Sequence, residues 1–77
     1  MNEQKDFGIQ PLDGIMTRLG LTNAALVRVS EEQLTHKMVQ KGRKGRRLTA
    51  NVKMKILKAL HLASPDEKFT PKHLFNY

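Results

Sequence analysis

SEEQLTHKMVQKGRKGRRLTANVKMKILKAL, from Ser30 to Leu60, carries both the clearest helix signals of the chain and most of its positive charge. It divides into two amphipathic helices joined by Gly42-Arg43-Lys44-Gly45-Arg46-Arg47. Ser30-Glu31-Glu32-Gln33 fits a capping box, with the serine at the N-cap and the glutamine three residues on. Glu31 and Glu32 also complement the positive N-terminus of the helix they would open. This pattern predicts a helix over 31–41, with Leu34 and Met38 turned to the core and Val39 sharing that side. Gly42 and Gly45 are expected to end it, and the basic residues around them to face out. Thr49 caps the next helix, with Leu48 before it as a hydrophobic staple. Val52, Ile56, Leu57, Leu60 and Ala63 give that helix, over 50–62, its apolar stripe.

Nearer the N-terminus, Pro11 suits a first helical turn, where its missing N–H would be unpaired anyway. Leu12, Ile15, Met16 and Leu19 recur at spacings of three and four, which predicts a helix over 11–19 ended by Gly20. Thr22 caps a short helix over 23–29 carrying Leu26 and Val29 on one side. Residues 1–10 read as a flexible arm, with Phe7 and Ile9 able to patch the edge of the core. Toward the C-terminus, Ser64-Pro65-Asp66 stops the long helix. Thr70-Pro71 starts one further turn over 72–75. Phe69, Leu74, Phe75 and Tyr77 mark residues 64–77 as an aromatic tail that docks on the domain or on a partner subunit. The fold class is therefore all-α: a small bundle of four to five short helices containing a helix-turn-helix, with the domain over 11–63.

Charge is distributed unevenly. The chain has 77 residues, 14 Lys+Arg against 7 Asp+Glu, and a formal charge of +7. No acidic residue lies between Gln33 and Pro65, whereas Lys37, Lys41, Arg43, Lys44, Arg46, Arg47, Lys53, Lys55 and Lys58 all do. Such a surface selects polyanions, nucleic acid first and an anionic membrane second. A chain this short buries only about 60% of the surface that its unfolded form exposes, which leaves room for one modest core. Cysteine is absent, so there is neither a disulfide framework nor a thiolate metal site. No apolar run is long enough to span a membrane, and residues 1–10 lack the apolar core of a signal peptide. The expected location is the cytoplasm, on the nucleoid in a bacterium.

Chemistry other than binding finds little support. His36, His61 and His73 have no metal-ligand spacing. There is no Ser-His-Asp set and no glycine-rich phosphate loop ahead of a helix. Neither an enzyme, a cofactor, a metal nor a small-molecule substrate is expected.

Leu21-Thr22, Leu26, Val29-Ser30 and Leu34-Thr35 together resemble the lambda-repressor-like (Cro-type) helix-turn-helix. Ile56-Leu57-Lys58-Ala59-Leu60 resembles the helix that follows the motif in that family. The block from Gln33 to Val39 followed by Lys44 to Thr49 also resembles small bacterial proteins of this general type. The resemblance covers about two thirds of the chain, from Leu12 to Leu60, and departs at Arg28, where the family carries glycine. It implies a small transcriptional regulator of double-stranded DNA, with helix 31–41 in the major groove. On that helix Gln33, His36, Lys37 and Gln40 are the side chains suited to base edges. Lys41, Arg43, Lys44, Arg46, Arg47 and Lys53 are the candidate phosphate contacts. A homodimer is compatible with this reading. The competing readings are an RNA- or ribosome-associated basic protein and a protein-interaction adaptor or antitoxin.

Overall fold

The computed structural model describes residues 7–77, which form an all-α fold of five helices without a strand among the described residues. The order is α1 (Pro11–Leu19), α2 (Asn23–Val29), α3 (His36–Lys44), α4 (Ala50–Ala63) and α5 (Pro71–Leu74). Three helices start on a threonine hydroxyl. Thr22 accepts from the Ala25 N–H, Thr35 from Met38 and Thr49 from Val52, each satisfying a donor that the first turn leaves unpaired. Gly20 and Gly45 close α1 and α3 in the left-handed region, at φ 71° and 89°.

The helix over 31–41 is corrected to α3, five residues later at its start and three later at its end. Ser30 is not an N-cap. Its N–H bonds the Leu26 carbonyl and closes α2, while its hydroxyl bonds the Glu32 backbone. Residues 30–35 therefore form a connection between α2 and α3. Leu34 reaches the core from that connection, before the helix begins. Glu32 pairs with Lys58 of α4 at 3.1 Å instead of capping a helix.

Gly42 does not end α3 either. It lies within the helix against Ile56, Leu48 and Leu12, each of which would stand 3.2–3.3 Å from an added Cβ. The absence of a side chain lets α3 sit this close to α1 and α4. Val39, rather than Met38, is the fully buried residue of α3.

The core joins Leu12 and Met16 of α1, Leu26 of α2, Val39 of α3 and Ile56, Leu57, Ala59 and Leu60 of α4. Phe69, Leu74 and Phe75 complete it from the C-terminal segment, which packs on α1 and α4 of the same chain. Fully burying one such side chain contributes about 1.5–3 kcal/mol, so the tail supports the bundle as much as a helix does.

Only part of the expected N-terminal arm falls within the described residues, and that part is held in place. Phe7 N–H bonds the Gly45 carbonyl, and Phe7 stacks on Tyr77 with ring centroids 4.2 Å apart. Ile9 stays exposed and patches nothing. Gln10 is 1% exposed and ties three segments together. Its backbone N–H bonds the Arg43 carbonyl, its amide donates to the Phe7 and Gly8 carbonyls, and its Oε1 accepts from Asn76 at 2.7 Å. A buried amide is tolerable because its polar atoms are engaged in this way.

Candidate functional site

The expected contact residues separate into distinct places. Lys37, Gln40, Lys41 and Lys44 recur at i, i+3, i+4 and i+7 on α3, which puts them on one face. With Arg46 they line an open concavity of about 270 Å³. Among the described residues, the side chains of Lys37, Lys41 and Lys44 meet no acid and no acceptor. Three adjacent ammonium groups without counter-charge repel each other, and an anion seated between them relieves that repulsion.

His36 is exposed at the first position of α3, and Gln33 is exposed in the 30–35 connection. Neither lines the concavity. Gln33 is therefore corrected from a helical position to one ahead of the helix. The N-cap role expected of Ser30 belongs to Thr35.

Arg43 is corrected from an outward phosphate contact to an internal strut. Its side chain is only 19% exposed. Nε donates to Asp13 of α1 at 2.6 Å, and one terminal nitrogen donates to Asn23 of α2 at 2.8 Å. Asn23 in turn donates from Nδ2 to the Gln40 Oε1 at 2.8 Å. A single chain of bonds thus runs Asp13–Arg43–Asn23–Gln40 across three helices. Asn23 carried no sign of this role in the sequence, because nothing local links position 23 to positions 40 and 43.

Arg47 and Lys53 lie elsewhere, around a second open concavity of about 430 Å³ with Phe7, Leu48 and Tyr77. Lys53 is half-buried and engaged. Its ammonium sits 3.9 Å from the Tyr77 ring centroid and donates to the Tyr77 backbone oxygen at 2.9 Å. Phe7 is stacked parallel on Tyr77, so the phenol ring is sandwiched between an aromatic and a cation. The Tyr77 hydroxyl donates to the Arg46 carbonyl at 2.8 Å. Burial raises its pKa above the ordinary value of 10.0, against a smaller lowering by a backbone hydrogen bond from Leu48.

Among the described residues no group of three or more His, Cys, Asp or Glu could hold a metal ion. None of their helices is long and apolar enough to cross a membrane. No family model matches the chain, and no curated protein or solved structure shows a significant match to it.

Proposed function

We propose that the protein binds double-stranded DNA in a sequence-dependent way, as a small transcriptional regulator, with α3 in the major groove. The observation that carries the reading is the α3 face itself. Three uncompensated lysines and one amide surround a single open concavity, on a helix whose first turn holds no acidic residue. A helix fits the major groove, and Lys and Gln are suited to guanine, adenine and phosphate acceptors. The proposed role of α3 takes in its N-terminal end, where His36 and Lys37 project. Arg46 and Arg47, in the segment after α3, extend the basic surface along a phosphate backbone.

Two of the cations are engaged within the fold, which narrows the electrostatic footprint. Arg43 is committed to Asp13 and Lys53 to Tyr77. Lys37, Lys41, Lys44 and Arg47 remain as side chains with no partner among the described residues. Four phosphate contacts give a log–log salt slope of about −3.6. Single-strand recognition finds less support. Base stacking needs an open aromatic face, and Tyr77 has both of its faces covered.

Titration of the protein into random-sequence duplex DNA at two salt concentrations tests the reading. Binding at low salt that weakens steeply with salt is expected. Absence of binding at low salt removes it. Preference for structured RNA in competition transfers the surface to the RNA reading.

A further inference from the structure

The hydrogen-bond chain behind α3 has a direction. Arg43 carries only donors, so the Asn23 atom facing it must be the oxygen, as its 2.8 Å contact has it. The other end of the Asn23 amide, which faces Gln40, is then the NH₂ group. The Gln40 atom that meets it must be an acceptor, Oε1. Amide oxygen and nitrogen are assigned from their partners, and here every assignment follows from one guanidinium. Asp13 fixes that guanidinium at its other side. Gln40 lines the same concavity as Lys37, Lys41, Lys44 and Arg46, and its Nε2, opposite the engaged oxygen, is the part of the amide left for a ligand.

We propose that Asn23 is a positioning residue that holds Gln40 donor-outward, so that α3 selects guanine at the base pair Gln40 meets. This rests on the DNA-binding reading and adds the base. A free glutamine amide pairs bidentately with adenine, accepting from N6 and donating to N7. Gln40 held by Asn23 has its oxygen engaged on the inner side, so the NH₂ group is the end of the amide that a base edge meets first. Guanine presents two acceptors, O6 and N7, in the major groove, whereas adenine presents one acceptor and one donor. The polarity of the site follows from the ion pair between Asp13 and Arg43, which touches no DNA.

The experiment is selection of bound duplexes from a randomised 20-base-pair library, run in parallel with affinity for unselected random duplex. The wild-type pool is expected to enrich guanine at one position by roughly tenfold over adenine. Gln40→Lys keeps an outward donor and keeps guanine. Gln40→Glu, an exposed and therefore structurally tolerant change, puts acceptors outward and moves that position toward adenine or cytosine, whose amino groups donate. Asn23→Asp is isosteric and accepts from both Arg43 and Gln40. It turns the Gln40 oxygen outward and shifts the pool as Gln40→Glu does, with helicity by circular dichroism unchanged. A purely structural Asn23 would alter stability without moving base preference.

Three results overturn the inference. One is a wild-type pool with no guanine-enriched position. The second is a Gln40→Glu pool identical to wild type. The third is a guanine preference that Gln40→Glu abolishes and a folded Asn23→Asp leaves intact. If random duplex is still bound at low salt in these cases, DNA binding survives and only the base assignment falls. If random duplex is not bound at all, both fall together.

Discussion

Gly45 lies so close to Gly8 that a Cβ on Gly45 would overlap the Gly8 carbonyl oxygen. Gly45 also takes φ 89°, where side chains are strained whatever the space. Gly45→Ala should therefore lower stability by about 2–4 kcal/mol, from left-handed strain and steric overlap together. Gly14, inside α1, is the matched control. An added Cβ there meets nothing within 4 Å, and Gly14→Ala should raise stability by about 0.5–1 kcal/mol. Urea denaturation of the two variants checks both signs. Equal effects would refute the account.

Arg43 and Asp13 form a partly buried pair with good geometry. Asp13→Ala leaves the largely buried guanidinium with Asn23 as its remaining side-chain partner, at an expected cost of about 1–2 kcal/mol after allowance for the partial exposure of Asp13. Arg43→Ala should cost a similar amount. Its DNA affinity, measured well below the melting temperature, should show an unchanged salt slope. A slope that drops by about 0.9 would return Arg43 to the phosphate contacts.

Lys41 and Lys44 line the concavity on one face of α3 and form no ion pair with a described residue. Changing both to Ala should shift the melting temperature by no more than about 4 °C, since exposed substitutions stay within about 0.5 kcal/mol. The salt slope of duplex binding should fall in magnitude by about 1.8. Fluorescence anisotropy between 50 and 200 mM salt, on the order used for such slopes, reads the change.

Tyr77 makes stability sensitive to alkali. Its folded pKa lies above the unfolded value of 10.0, so the unfolded chain loses the phenolic proton first. Stability then falls as pH rises from about 10 toward the folded value. Lysines titrate in the same range, so the quantity to measure is the difference between wild type and Tyr77→Phe in thermal melts from neutral to alkaline pH. Near neutrality the variant should lose about 0.5–1.5 kcal/mol with the hydroxyl bond to Arg46. That gap should narrow above about pH 10. A constant gap would refute the coupling.

The sequence states the bounds of α1, α2 and α4 almost to the residue, because threonine or proline starts each of them and apolar periodicity marks the buried face of α1 and α4; on α2 Leu26 is buried as expected, but Val29 is exposed. At α3 two local signals compete. Ser30-x-x-Gln33 and Thr35 both qualify as helix starts, and no local rule says that Leu34 must reach the core from outside a helix. The packing role of Gly42 depends on Leu12, Leu48 and Ile56, and the burial of Arg43 on Asp13, thirty residues away. The basic face of α3 is readable in composition and helical spacing. Its exact membership is not, since charge runs do not announce which of their members meet an acid from another helix.

The bond from Asn76 to Gln10 closes a loop of 66 residues. Closing so long a loop costs conformational entropy that no local turn recovers, which predicts that this contact forms late and that its amides exchange before those of the helices. Phe7, Gln10, Gly45, Arg46 and Tyr77 meet at that seam. The segment that follows α3 is thus braced by both extremities of the described chain. Clipping or extending either extremity would change the hydrogen-exchange protection of Gly45 and Arg46, at a distance in sequence but not in space.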